Sequence, residues 1–224
     1  MIILPNKGLA FISITKCAST TIESAFKRYK GIFIGGTPGL KHTKYRQIEQ
    51  FILPFLEAKK VQRPHFFAVT REPADRLMSW YKFRQRDDLA NARSSHRFKK
   101  NFVENMSFEE FAEGALARKE HPFKVETQHS FVVNSQNKVM VDTLVRIEYL
   151  DAFLPDFLRG FKIKPPQKMA RRNISPTNKD KGMSDALRAE INQSALFRED
   201  YELYLSSLSA PEPEQLQAEA YKET

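Results

Sequence analysis

The chain has 224 residues, 41% hydrophobic and 28% charged, with only 8 glycines, which indicates one soluble globular domain and excludes fibrous and disordered classes. No segment approaches the ~20 apolar residues of a membrane span, the first residues do not form a signal peptide, and the single cysteine, Cys17, excludes an intramolecular disulfide and a multi-cysteine metal site. The 36 Lys and Arg against 27 Asp and Glu leave a net charge of +9, which favours anionic partners.

The charge is unevenly distributed along the chain. Residues 210–224 contain four glutamates and one lysine, so this tail carries −3 and the chain before it +12. We therefore predict a domain over residues 1–209 and a loosely held acidic tail over 210–224. A cytoplasmic location agrees with the absence of a signal peptide and of a membrane span.

Short apolar runs alternate with helical patterns. The runs predict strands at residues 9–14, 65–70 and 139–145. Apolar residues spaced three and four apart predict helices over residues 20–29, from Pro73 onward, over 45–60 with an interruption at Pro54, and over 187–208. This alternation predicts a single α/β domain with a parallel sheet flanked by helices, in which ligands bind at the carboxyl ends of the strands.

The first strand-to-helix turn is Thr-Lys-Cys-Ala-Ser-Thr-Thr, residues 15–21. Helix N-terminal N–H groups, the Lys16 ammonium and several hydroxyls converge there, which is typical of a phosphate site. The turn is not the nucleoside triphosphate loop, because it lacks both glycines and its lysine stands at the start. A helix capped by Ser19 or Thr20 beside a solvated Lys16 is an alternative explanation of the same residues.

The second turn contains Arg71, Pro73, Arg76 and Ser79. Arg71 stands at a strand end and Ser79 follows about two helical turns later, so a guanidinium and a hydroxyl can hold one phosphate. When this turn is considered by itself, an alternative explanation is that Arg71 forms a salt bridge and Ser79 is a small packing residue. Two phosphate-type turns on one sheet favour the phosphate interpretation.

Together the turns resemble the carbohydrate-type branch of the sulfotransferases that use 3′-phosphoadenosine 5′-phosphosulfate (PAPS). Residues 15–21 match the loop P-K-x-x-x-T/S-T/S, with Thr15 in place of the proline, and residues 71–79 match R-x-P-x-x-R-x-x-S. The resemblance spans roughly residues 9 to 205 and implies a P-loop-type sulfotransferase fold. Weaker similarity continues at Gln128, Arg146, Glu148, Arg171 and Arg172, of which we interpret Arg146 and Glu148 as structural.

The resemblance implies metal-independent transfer of a sulfuryl group from PAPS to an acceptor hydroxyl, of a carbohydrate or a small metabolite. Lys16 would stabilise charge on the leaving phosphate, since positioning and fixed positive charge dominate such a transfer. The cofactor-binding residues that it implies are Lys16, Cys17, Ala18, Ser19, Thr20, Thr21, Arg71, Ser79, Arg171 and Arg172.

The catalytic base is predicted at His42, in the segment Gly-Leu-Lys-His-Thr, which resembles the family's histidine-containing loop. An ordinary histidine pKa of about 6.5 suits proton removal at neutral pH. A histidine that only caps the following helix is the alternative role, and His129 or Glu126 would then be the base.

Three other functions remain open. A kinase or triphosphatase with a degenerate phosphate loop would bind ATP and magnesium, but neither turn has an acidic metal-binding cluster. The basic run over residues 82–100 would suit nucleic acid, although such runs are usually solvated surface, and no nucleic-acid partner is expected. A sulfotransferase fold that only binds its ligand is disfavoured by Lys16 and His42. Oligomeric state and peripheral membrane contact are left open.

Overall fold

The computed structural model describes residues 1–26, 28–86, 101–103, 105–165 and 183–208. Arg171 and Arg172, most of the basic run and the acidic tail lie outside these residues. The described residues form two compact units. The first unit draws on Met1–Arg71, Gln128–Arg172 and Ser206–Thr224, and the second on Glu72–Thr127 and Asn173–Leu205.

A five-stranded sheet of order β3-β1-β2-β4-β5 forms the first unit. Its strands are β1 Ile2–Leu4, β2 Leu9–Ile12, β3 Ile32–Phe33, β4 His65–Thr70 and β5 Thr143–Arg146. Strands β2, β4 and β5 are parallel, whereas β1 runs antiparallel to both β2 and β3. The sheet is therefore mixed, and the prediction of a parallel sheet is correct only for these three strands.

The antiparallel pairing of β1 has a local cause in the chain. A single 3₁₀ turn at Pro5–Lys7 and Gly8, whose φ is 61°, connect Leu4 to its partner Leu9. Such a short connection can only return the chain antiparallel, because a parallel crossover needs a dozen or more residues. Glycine suits the left-handed backbone of this turn.

The helices are, in chain order, α1 Ser19–Phe26, α2 Pro38–Lys41, α3 Tyr45–Gln47, α4 Leu53–Ala58, α5 Pro73–Arg84, α6 Phe108–Leu116, α7 His129–Val132, α8 Leu150–Gly160, α9 Asp185–Gln193 and α10 Arg198–Ser206. A π-helical turn, Ile48–Ile52, joins α3 to α4. The predicted interruption at Pro54 therefore takes the form of a π turn before a new α-helical start, where a proline N–H is not needed.

Helices pack on both faces of the sheet in the first unit. The neighbouring β4 residues Phe66 and Phe67 point to opposite faces. The Phe66 ring contacts Tyr45 of α3 at 5.4 Å, and the Phe67 ring contacts Phe26 of α1 at 6.2 Å and Phe157 of α8 at 5.1 Å. The aromatic residues of β4 thus hold the sheet between its helices, and the predicted α/β class is confirmed.

The third parallel strand starts later than predicted. The Asp142 carboxylate accepts a hydrogen bond from the Phe66 N–H at 2.7 Å, and β5 begins at the next residue, Thr143. Val139 instead forms an isolated antiparallel bridge with Val133. An apolar run alone could not distinguish this small hairpin from the strand that follows it.

The second unit has its own apolar core, built from α5, α6, α9 and most of α10. Its fully buried members include Leu77, Phe111, Ile191 and Phe197. The Arg76 guanidinium lies inside this unit, 3.6 Å from the Asp200 carboxylate, and both side chains are almost fully buried. Arg76 is therefore a structural member of the second turn. None of the helices described is long and apolar enough to cross a membrane.

Candidate active site

Three parallel strands of the first unit end at the same edge of the sheet. Ile12 of β2 pairs with Ala68 of β4, and Thr70 at the end of β4 pairs with Arg146 at the end of β5. The first turn, residues 15–21, is called the Lys16 loop from here on. It follows β2 and Arg71 follows β4, so both leave the sheet at the carboxyl edge where α/β sheets bind ligands.

The Lys16 loop has an unusual backbone for a segment without glycine. Lys16 and Ala18 have positive φ angles of 65° and 55°, a conformation that costs free energy in residues with a side chain and concentrates at functional sites. Cys17 lies between them and is fully buried. Left-handed residues occur in the backbone concavities that bind anions, so this conformation suits a phosphate ligand.

The loop leads directly into the N-terminus of α1. The N–H groups of Thr21 and Ile22 donate to the Ala18 carbonyl at 3.0 and 3.1 Å. Those of Ser19 and Thr20 donate to no acceptor within the described residues. Of the amides predicted to bind a phosphate, the Thr21 N–H is thus engaged inside the helix, and Ser19 and Thr20 present theirs at its positive end.

Gln128 connects the two turns. Its side-chain oxygen accepts a hydrogen bond from the Arg71 N–H at 2.9 Å and is the nearer acceptor of the Cys17 thiol, at 3.2 Å against 3.5 Å for the Thr15 carbonyl. Its side-chain nitrogen donates to the Arg71 carbonyl at 2.7 Å. Gln128 is fully buried, so these contacts occur away from water. The sequence offered no signal for this role beyond family similarity, because the contacts join residues more than 50 positions apart.

His42 lies beside the segment that leads into the loop. Its Nδ1 is 2.6 Å from the Ser13 carbonyl oxygen, and because a carbonyl only accepts, we assign the hydrogen to Nδ1. Nε2 of the neutral ring then carries the lone pair. Burial lowers the pKa of His42 below its ordinary 6.5, and Lys41 adds to this, while the Ser13 hydrogen bond and Glu23 oppose it.

A charged pair beside His42 was not predicted from the sequence. The Lys41 ammonium lies 2.9 Å from the Glu23 carboxylate and donates to the Thr20 hydroxyl at 3.3 Å. The other Glu23 carboxylate oxygen accepts from the Ser13 hydroxyl at 2.8 Å. Lys41 therefore brings an ammonium, paired with Glu23, to the start of α1. Its only sequence signal was that it precedes His42.

The remaining histidines differ in their surroundings. His65 packs against Phe157 and Phe161 at the start of β4 and contacts the Thr143 hydroxyl at 2.8 Å, so its role is structural. His121 is exposed and contacts Asn101. His129 is half-buried at the start of α7, and His96 lies outside the described residues.

The other predicted site residues belong to different parts of the chain. Arg71 is half-buried and is the last residue of the first chain segment of the first unit. Ser79 is buried on α5 in the second unit. Glu126 is exposed in the second unit, where its carbonyl accepts from Arg76. The described part of the chain contains no group of three or more His, Cys, Asp or Glu side chains that could hold a metal ion.

Comparison with known proteins identifies a family. A family model described as "Sulfotransferase family" matches residues 1–206 of the 224. No curated protein and no solved structure matches the chain significantly.

Proposed function

Since the chain belongs to the sulfotransferase family, we propose that it transfers the sulfuryl group of PAPS to a hydroxyl of a carbohydrate or a small metabolite. Membership confirms the resemblance drawn from the two turns and supports sulfuryl transfer by a transferase. The donor, the acceptor class and the P-loop-type description of the fold are our proposals. Their main support is the Lys16 loop, whose strained backbone and helix N-terminus lie at the same sheet edge as Arg71.

We assign the donor's 5′-phosphosulfate to the first turn. The Ser19 and Thr20 amides point from the start of α1, and the hydroxyls of Ser19, Thr20 and Thr21 add neutral donors. Lys16 supplies positive charge at the loop, and Lys41, paired with Glu23, donates to the Thr20 hydroxyl. Fixed donors and charges of this kind stabilise a phosphate oxygen that gains negative charge as the sulfuryl group leaves.

We assign the donor's 3′-phosphate to Arg71, and the sequence pattern adds Ser79. The Gln128 amide binds both the N–H and the carbonyl of Arg71, so the guanidinium extends from a fixed main-chain position. A guanidinium can donate two parallel hydrogen bonds to one phosphate. Family resemblance adds Cys17, Ala18, Arg171 and Arg172 to the donor site.

We propose that His42 removes the proton of the acceptor hydroxyl. The hydrogen bond to Ser13 leaves the Nε2 lone pair available, and the lowered pKa keeps the ring neutral at pH 7. A neutral imidazole can accept a proton as the acceptor oxygen bonds to sulfur. Lys16 acts on the leaving side of the same transfer. It stabilises the negative charge that develops on the phosphate oxygen, while His42 takes up the proton of the acceptor hydroxyl.

A ligand panel tests the donor proposal. The melting temperature is measured with 3′,5′-adenosine diphosphate, adenosine 5′-phosphate, ATP with magnesium and a short RNA. A ligand that binds only the native state stabilises it by RT ln(1+[L]/Kd), about 2.7 kcal/mol at 100 times Kd. We expect the largest shift from the diphosphate without metal. Equal shifts from the diphosphate and the 5′-phosphate would contradict the 3′-phosphate assignment, and a larger shift from ATP with magnesium or from RNA would favour the alternative functions.

A further inference from the structure

The Gln128 side chain contacts one residue from each of the two turns. It meets both main-chain polar groups of Arg71 and the thiol of Cys17 at distances from 2.7 to 3.2 Å. Gln128 and Cys17 are both fully buried. Loss of any one of these hydrogen bonds would leave a buried polar group without its partner, which is costly away from water.

We propose that Gln128 is a positioning residue that holds the Lys16 loop and Arg71 in fixed relative positions, so that both phosphate subsites are formed before the donor binds. This inference rests on the proposed function and extends it to a residue that touches neither phosphate in our assignment. Gln128 acts through the main chain of Arg71 on one side and through Cys17 on the other.

The place of these contacts in the fold explains why such a residue is needed. The pairing of β4 with β5 ends at Thr70 and Arg146. The Arg71 peptide groups therefore lie beyond the last ladder pair, where the Gln128 amide pairs with them as a neighbouring strand would. On the other side, Cys17 lies between the left-handed residues Lys16 and Ala18. A strained loop keeps its shape only when the surrounding structure holds it.

The proposal makes a distinctive prediction about ligands with one phosphate. Adenosine 5′-phosphate reports on the Lys16 loop and adenosine 3′-phosphate reports on Arg71. Arg71→Ala removes one direct contact and keeps the main chain, so it should weaken the 3′-phosphate ligand alone. Loss of the Gln128 amide should weaken both ligands, by about tenfold each, as expected when a buried hydrogen-bond partner is lost.

The test variant is Gln128→Glu. It keeps the size of the side chain and the oxygen facing the Arg71 N–H, but it places a second oxygen where the amide nitrogen now donates to the Arg71 carbonyl. Gln136→Glu is the matched control, since it makes the same chemical change at an exposed position of the first unit. Binding of the two monophosphates is measured by calorimetry, and amide hydrogen exchange at residues 16–19 and at Arg71 is measured without ligand.

A second pair of variants covers a Gln128→Glu protein that does not fold. Cys17→Ala removes the thiol donor and leaves the Arg71 contacts, so it should weaken the 5′-phosphate ligand several-fold and leave the 3′-phosphate ligand much less affected. Cys17→Ser keeps a donor directed at the same oxygen and should restore part of the lost affinity. Equal binding by both Cys17 variants and the wild type would overturn the proposal.

The outcomes separate this inference from the proposed function. Loss of affinity for both ligands in Gln128→Glu, with Gln136→Glu unchanged, supports the positioning role. Faster exchange with unchanged affinities would make Gln128 merely structural, and loss for one ligand alone would contradict a shared role; either result leaves the proposed function standing. If the wild type binds neither monophosphate nor 3′,5′-adenosine diphosphate, the proposed function fails and the positioning role fails with it.

Discussion

The Nδ1 atom of His42 lies 2.6 Å from the main-chain oxygen of Ser13, and the Ser13 hydroxyl lies 2.8 Å from the Glu23 carboxylate. One residue therefore orients the imidazole with its carbonyl and binds α1 with its side chain. Ser13 stands three positions before Lys16. The orientation of His42 is thus coupled to the segment that carries the candidate donor loop.

Replacement of His42 tests its role as the base. We expect His42→Ala to keep its affinity for 3′,5′-adenosine diphosphate, because the hydrogen bond of the ring is to Ser13, which precedes the loop. Its kcat should fall by about 10²–10⁴, the usual contribution of general base catalysis. The measurement is steady-state sulfuryl transfer at saturating PAPS, once an acceptor has been identified.

His121→Ala is the matched control, since His121 is exposed and contacts Asn101. Its kcat should equal that of the wild type. Full activity in His42→Ala would move the base to His129 or Glu126.

The pH dependence of activity should reveal the lowered pKa of His42. The base must be neutral, so kcat/KM should fall as the pH drops through the His42 pKa. Because burial lowers that pKa below 6.5, the acid limb should have its midpoint below pH 6.5, and activity should be constant through neutral pH. A midpoint at or above 6.5 would contradict the neutral, buried base.

Two of the charged groups that act on His42, the side chains of Lys41 and Glu23, should move this acid limb in opposite directions. Lys41 lowers the pKa of His42 and Glu23 raises it. Lys41→Met should therefore shift the midpoint of the kcat/KM profile to higher pH, and Glu23→Gln should shift it to lower pH. Shifts in the same direction, or an unmoved midpoint in both variants, would mean that the profile reports another group.

Stability should depend strongly on the buried ion pair of the second unit. Arg76 and Asp200 are 1% and 0% exposed, so Asp200→Ala leaves a buried guanidinium without this carboxylate. We expect the free energy of unfolding to fall by about 3–5 kcal/mol, the typical cost of breaking such a pair. Asp156→Ala breaks an exposed pair with Arg159 and should cost at most about 1 kcal/mol. Urea unfolding curves of both variants measure the difference.

The order of elements around the site could be predicted from the sequence, because it depends on local patterns. The strand His65–Thr70 was predicted at the bounds that the structure shows, since its apolar run is long and followed by a helix start. The short strands β1 and β3 were missed. Two to three residues give no periodic signal, and their pairing depends on the turn at Gly8.

The contacts within the site could not be predicted, because they join distant residues. Gln128 meets Cys17 across 111 positions, and Lys41 meets Thr20 across 21. Glutamine, lysine and threonine are common on protein surfaces, and the single cysteine gives no indication of its partner, so composition does not reveal either pairing. The second arginine of the R-x-P-x-x-R-x-x-S match received no predicted role, and the structure shows that Arg76 lies buried against Asp200.

Lys16 and Arg71 should differ in which kinetic constant they control. Lys16 stands in the loop assigned to the leaving phosphate, and it is expected to matter most when charge develops there. Lys16→Ala should therefore lower kcat by about 10²–10³, the usual effect of removing one such donor, and should change the Kd for 3′,5′-adenosine diphosphate much less. Arg71→Ala removes a charged hydrogen bond worth about 1.5–3 kcal/mol and should raise that Kd by about 10- to 150-fold. Single-turnover rates at saturating PAPS and calorimetric Kd values separate the two effects.

Lys162→Ala, which removes an exposed ammonium of the same unit, controls for net charge. A normal single-turnover rate in Lys16→Ala would show that the leaving phosphate is stabilised by other groups, such as Lys41.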